Sequence, residues 1–250
     1  MAGVDLGVKT LATVVTLTEH ADGTTAETVE AVPNPKPLGR WQRKLARQAR
    51  QMARRQPGSR RRARTAASLA RTHHKVANAR RDSLHKLTSR LAHSGAVARQ
   101  AKIVQPALSR PWNIALVSAA WLHDVGYAPD LCNTGFHPLD GARWLRTQGW
   151  SSEVCRLVAW HTRAEAEAWL LGLLPELESE FPRPPDEARA ALAWADLTSS
   201  PTGKRCTATD RISGILKRYP EDSVVHRATL ANRSQLEDDV AWVKEKLGAP

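Results

Sequence analysis

Apolar and polar positions change rhythm twice along the chain. From Gly3 the segment GVDLGVKTLATVVTL is rich in Val, Leu and Thr, it breaks at the turn signal His20-Ala21-Asp22-Gly23-Thr24, and TAETVEAV extends the pattern until Pro33, Pro35 and Pro37 end it. Such stretches predict two or three short strands within residues 3–32. From Leu38 to Gln56 and from Arg60 to Leu91, Ala, Arg, Gln and Leu dominate, with Pro57-Gly58-Ser59 as the break between them. Leu69, Val76, Leu84, Leu87 and Leu91 recur at helical spacing, which predicts a thinly amphipathic helical hairpin over residues 38–91. After Ala92, tryptophans enter and prolines from Pro106 to Pro220 punctuate the chain. Helices are expected there near 92–105, 112–124, 138–148, 151–171, 186–197, 207–218 and 233–247, with no comparable strand signal. The expected fold is mainly α, in two parts: residues 1–91 and an all-helical domain over residues 92–250.

Charge follows the same division. The chain of 250 residues has a formal charge of +12, but residues 1–92 hold 19 Lys+Arg against 6 Asp+Glu, leaving 18 against 19 in the remainder, so a part at +13 precedes one at −1. The first part suits a polyanion and the second a small substrate. Arg54, Arg55, Arg60, Arg61, Arg62 and Arg64 are the densest cations, and weak, non-specific DNA or RNA binding is expected through residues 38–91. Cys132, Cys155 and Cys206 are odd in number and far apart, which argues against a disulfide framework. No run of eighteen apolar residues is seen, and the N-terminus lacks the charged-then-apolar order of a signal peptide, so a cytoplasmic protein without a membrane span is expected.

In the second part, charged residues sit where the pattern is apolar. WLHDVGY places His123 and Asp124 at the end of a helix that is apolar from Ile114 to Leu122; His93 lies in LAHSGAVARQA and Asp196 in ALAWADL. Ionisable groups against apolar faces need partners. Adjacent helical side chains diverge by about 100°, so His123 and Asp124 share an ion only if other helices supply further ligands. His93 and Asp196 are those candidates. The mixed imidazole and carboxylate set points to a divalent Mn, Fe, Ni, Co, Zn or Mg, and suits the transition metals better than Ca.

The order His, His-Asp, Asp, together with the stretch LHDVGYAPDLCNTGFHPLDGARWLR, resembles the HD superfamily of metal-dependent phosphohydrolases over residues 93–230. The resemblance implies an all-helical HD domain with His93, His123, Asp124 and Asp196 as metal ligands. It further implies a metal-activated water that attacks a small phosphorylated substrate such as a nucleotide. Catalytic roles are then expected for His123, Asp124, His137 and His161. The last two stand as ligands of a second ion, phosphate contacts or structural residues; Lys204 and Arg211 stand as phosphate contacts or solvated surface.

The first part carries a different likeness. GVDLGVKTLATVV, N-P-K-P-L and K-V-A-N-A-R-R-D-S-L-H-K-L resemble the insertion-sequence TnpB proteins, relatives of the type V CRISPR nucleases, from Gly3 to Leu91. The likeness implies an incomplete RNase H-like, RuvC-type fold in which Asp5 matches a catalytic carboxylate and an arginine-rich helical insertion follows. A RuvC site needs further carboxylates from later strands, and the chain leaves the pattern before they appear. The leading expectation is therefore a phosphohydrolase with a vestigial basic arm. The alternative is a nucleic-acid-binding, transposase-derived segment beside an inert HD domain.

Overall fold

Between Arg60 and Val104 the sequence holds no proline and one glycine, so nothing forces a helix to stop there. The computed structural model describes residues 2–5, 10–19, 25–33, 37–128 and 130–248, with side chains from Trp41 onward except those of residues 80, 83 and 84. It divides into two compact units, Met1–Thr88 and Ser89–Pro250. The expected turn at residues 20–24, the prolines at 35 and 129 and the side chains of Asp5 and Leu84 lie outside the described residues.

The first unit opens with three strands, β1 (Ala2–Asp5), β2 (Thr10–Glu19) and β3 (Thr25–Pro33), in an antiparallel sheet of order β1-β2-β3. Val14 pairs with Val4 on one side and Glu30 on the other. Helix α1 (Pro37–Ala53) follows, then the turn and α2 (Arg60–Val104). Arg62 Nη1 donates to the carbonyls of Met52 (2.9 Å) and Arg55 (3.1 Å), and Arg55 Nη1 donates to the carbonyl of Arg61 at 2.7 Å and to Thr65 Oγ1. The Arg62 bonds cap the carbonyls of Met52, at the end of α1, and of Arg55, in the turn beyond it, while Arg55 reaches across to the first turn of α2. Gln48 Nε2 donates to Ser68 Oγ at 2.9 Å, and Gln48, Thr65 and Thr72 are buried, so polar side chains line much of the hairpin's inner face.

In the second unit the described elements are helical: the end of α2, α3 (Trp112–Leu122), α4 (His137–Thr147), α5 (Ser152–Ala159), α6 (Glu165–Leu170), α7 (Leu174–Glu180), α8 (Asp186–Leu197), α9 (Ala208–Arg218) and α10 (Val224–Lys246). The protein is mainly helical. Helix α8 is buried from Ala188 to Leu197 and packs against α3 and α10, while α4 and α5 pack on each other beside α3. Leu116, Phe136, Leu139, Leu157, Trp160 and Leu192 are among the side chains filling this core. No helix among the described residues is long and apolar enough to cross a membrane.

Four elements depart from the periodicity. Helix α10, expected over 233–247, begins nine residues earlier at Val224. The helices expected on either side of Ala92 are one, because Gly95 is tolerated inside α2 and its missing Cβ admits Trp121, whose ring would lie 3.0 Å from one. The single helix expected over 151–171 is two, interrupted by the short turn His161–Arg163, where Thr162 (φ 50°) and Arg163 (φ 57°) take left-handed conformations. Helix α7 occupies a segment read from the sequence as punctuated by proline; Pro175 lies in its first turn, where its missing N–H costs nothing.

Candidate functional site

Two groups of functional side chains can be built from these elements, one in each unit. In the second unit His93, on the last part of α2, and Asp196, near the end of the buried α8, approach at 3.1 Å between Nε2 and Oδ1. Helix α3 ends at Leu122; His123 is still helical, but Asp124 leaves the helix (φ −96°, ψ 9°), so the two neighbours turn to one centre. Asp124 Oδ1 lies 3.4 Å from His123 Nε2 and 3.7 Å from His137 Nε2, and Asp124 Oδ2 lies 4.0 Å from His93 Nε2. His137, the first residue of α4, faces His161 at 3.1 Å between Nε2 atoms. The six donors form two triads, His93–His123–Asp196 and Asp124–His137–His161, with the ligand atoms of each within 4.8 Å of one another.

The outer atoms explain why the inner ones point together. The Nδ1 atoms of His93, His123 and His161 lie 3.0, 2.9 and 2.6 Å from the carbonyls of Ser200, Ala120 and Val158. A carbonyl only accepts, so each Nδ1 carries a proton and donates it; in the neutral rings of His123 and His161 this leaves Nε2 as a lone pair aimed inward, whereas His93 Nε2 faces the Asp196 carboxylate, to which it can donate. His123 Nε2 is buried and has no hydrogen-bond partner. Such an orphaned atom is costly unless something electropositive meets it. Thr162 donates to Asp196 Oδ2 at 2.9 Å, fixing the other carboxylate oxygen.

Electrostatics separates the imidazoles. Burial, with the neighbouring His161, lowers His137 to about 3, and burial, with His123, also lowers His161. Burial pulls His93 down too, but its hydrogen bond to Asp196 and the charges of Asp196 and Asp124 outweigh that and hold it above the ordinary histidine value. Burial pushes the carboxyls of Asp124 and Asp196 up; the surrounding imidazoles, and Arg211 beside Asp196, more than reverse this and hold both below the usual range. Arg211 Nη2 stands 3.5 Å from Asp196 Oδ1, whereas Lys204 is exposed on the loop before α9. Tyr127 is stacked on His137 (centroids 3.8 Å apart, planes 15° apart) with its ring half open to solvent.

Sequence reading missed the residues that orient these donors, namely Thr162, the carbonyl of Ser200 and Tyr127. None had a pattern that could announce it. Thr162 carries strain as well: with Arg163 it is one of two successive side-chain-bearing residues in the left-handed region, each disfavoured by roughly 1–2 kcal/mol.

In the first unit the candidate interface is basic. Arg43, Arg47 and Arg50 on α1 and Arg54, one residue past its end, are exposed and follow one another at steps of four, three and four residues, which aligns the first three on one face of the helix. Arg60, Arg61 and Arg64 are exposed at the start of α2. Arg55 and Arg62, from the same cationic cluster, are half-buried and directed at the turn. Lys44 and Lys75 both reach over the Trp41 ring, at 5.3 and 5.9 Å from its centre.

Residues 1–96 match the IS605-type OrfB family, described as "Probable transposase". Two proteins of Mycobacterium tuberculosis, from strains CDC 1551 and H37Rv and each named "Putative RNA-guided DNA endonuclease", are 44% identical to this chain over 90 residues, covering 36% of it. The chain spans 18% of the length of these relatives. No solved structure matches it. These findings overturn the expectation of an HD-type phosphohydrolase acting on a small phosphorylated substrate, because the kinship they establish lies in the basic first part and runs to transposases and nucleases. The family match ends at residue 96 and so does not reach His123, Asp124, His137 and His161, expected to be catalytic, or Lys204 and Arg211, expected to contact phosphate.

Proposed function

We propose that the chain is a nucleic-acid-binding protein of transposase descent whose binding surface is the basic helical hairpin. The observation that carries this reading is the exposed row Arg43, Arg47 and Arg50 on α1, continued by Arg54 just past its end. At about 1.5 Å of rise per residue, successive arginines are spaced roughly 4.5–6 Å apart along the helix axis. A regular row of cations suits a phosphate backbone and gains affinity by releasing its counterions, whatever the base sequence. The match of residues 1–96 to the transposase family supports the same reading. Fluorescence anisotropy of the full chain with labelled single-stranded RNA, single-stranded DNA and duplex DNA tests it. Binding at low salt that weakens steeply with added salt is expected, and Arg47→Glu with Arg50→Glu should weaken it at least tenfold. Absence of salt-dependent binding to all three probes at 50 mM salt would overturn the reading.

A second reading concerns the six-residue cluster in the other unit. The orphaned His123 Nε2, with the His123 and His161 imidazoles held in the ligating tautomer beside the carboxylates of Asp124 and Asp196, supports a divalent cation there. The nitrogen and oxygen donors suit Mn, Fe, Co, Ni or Zn. Elemental analysis after dialysis against each of Mn, Co and Zn should find metal in the native chain and little in His123→Ala or Asp196→Asn. Equal metal content in all three proteins would sink it.

A further inference from the structure

The turn between α5 and α6 has no sequence reason to exist. VAWHTRAEAEA contains neither glycine nor proline, and its composition is that of an uninterrupted helix. Yet Thr162 and Arg163 both adopt positive φ, a pair of conformations that persists only where surrounding structure enforces it. What enforces it comes from α10 and the start of α8. The Arg163 guanidinium is buried and makes a two-pronged pair with Asp239, Nε to Oδ2 at 2.8 Å and Nη2 to Oδ1, while its Nη1 meets Asp186 Oδ1 at 2.9 Å. The carbonyl of Arg163 accepts from Asn232 Nδ2 at 2.6 Å. Asn232 and Asp239 are seven residues apart, two turns of α10, so one face of that helix grips both the backbone and the side chain of Arg163.

The consequence is felt one and two residues earlier. With Arg163 gripped, Thr162 turns its hydroxyl to Asp196 and His161 turns its Nε2 toward His137, while its Nδ1 donates to Val158. We infer that Asn232 and Asp239 are positioning residues for the His–Asp cluster, acting through Arg163 to hold the His161–Thr162 turn that aims two of its members. Neither touches the cluster. The inference rests on the reading of that cluster as a cation site, and it adds the device that keeps the site in shape.

Co(II) titration of the full chain tests it, because the visible bands of Co(II) depend on the number and geometry of its ligands. Asn232→Ala removes the grip on the Arg163 carbonyl without leaving a buried charge. It is expected to weaken Co(II) binding about tenfold and to alter the band pattern, while Ser234→Ala, an exposed change on the same helix, leaves both as in the native chain. Asp239→Asn should act in the same direction and more strongly; if it fails to fold, Asn232→Ala alone decides. Native affinity and native bands in Asn232→Ala would overturn the inference. Failure of the native chain itself to take up Co(II) would instead overturn the cation reading. The 15N signals of the His161 ring, recorded without metal at fixed pH, then decide the positioning role. They move in Asn232→Ala if the grip sets that ring, and unmoved signals overturn it.

Discussion

At the scale of single residues, the cluster depends as much on an absent side chain as on the ligands. Gly126 lies between Asp124 and the α4 helix, and a Cβ there would meet the His137 carbonyl oxygen at 2.0 Å and the Gly141 nitrogen at 2.8 Å. Both obstacles are backbone, so neither can rotate away. Gly126→Ala is expected to push the Val125–Tyr127 turn off α4, widening the gap between Asp124 and His137, and to destabilise the chain by roughly 1–3 kcal/mol, the usual range for overpacking. The urea midpoint measures the second effect and metal content the first; a native midpoint would contradict the close approach. What the sequence made legible at this scale follows from the cost of burial. His93, His123, Asp124 and Asp196 stood out because ionisable groups interrupt apolar helices. Thr162 and Ser200 could not stand out, since a small polar residue gains its role only from a partner 34 or 107 positions away.

Helix boundaries in the second unit were legible where a local rule decides them and illegible where tertiary bonds do. Ser151 caps α5 with its hydroxyl, and the residues expected for α8 match it; α10, expected from residue 233, starts instead at Val224 behind the Ser223 cap. The break at Thr162 is imposed by ion pairs from distant helices, against local propensity. Helix α7 is held partly by charge: Arg143 and Arg146 on α4 reach Glu180, and Arg143 also reaches Glu176 at 2.7 Å. The Arg143 hydrogen bond, then Arg146, hold the Glu180 carboxyl below its ordinary 4.5. Because the folded value is depressed, the stabilisation is complete above the unfolded value and is lost as pH falls through the folded one. Glu180→Gln should therefore cost about 0.5–1 kcal/mol at pH 7, a modest amount for a group near the surface, and less at pH 3. Urea unfolding of both proteins across that range checks it, and an equal deficit at both pH values would show that packing, not charge, ties α7 to α4.

For the whole molecule, the uneven charge separates what binds a polyanion from what merely adds to the total. Formal charge alone treats every arginine alike, but the structure distinguishes two kinds. Arg43, Arg47, Arg50 and Arg54 stand in solvent, whereas Arg55 and Arg62 spend their donors on carbonyls and a hydroxyl at the hairpin turn. An arginine that contacts phosphate releases about 0.7 of a counterion on single-stranded nucleic acid, so each one removed flattens the plot of log affinity against log salt by that amount. Replacing Arg47 and Arg50 together with Gln should reduce the slope by about 1.4. Replacing Arg55 and Arg62 with Gln should leave the slope unchanged and lower the hairpin's thermal stability, because carbonyls at the end of α1 and in the turn lose their donors. A slope that falls equally in both double variants would mean that the nucleic acid senses only net charge, and that the row on α1 has no special place in binding it.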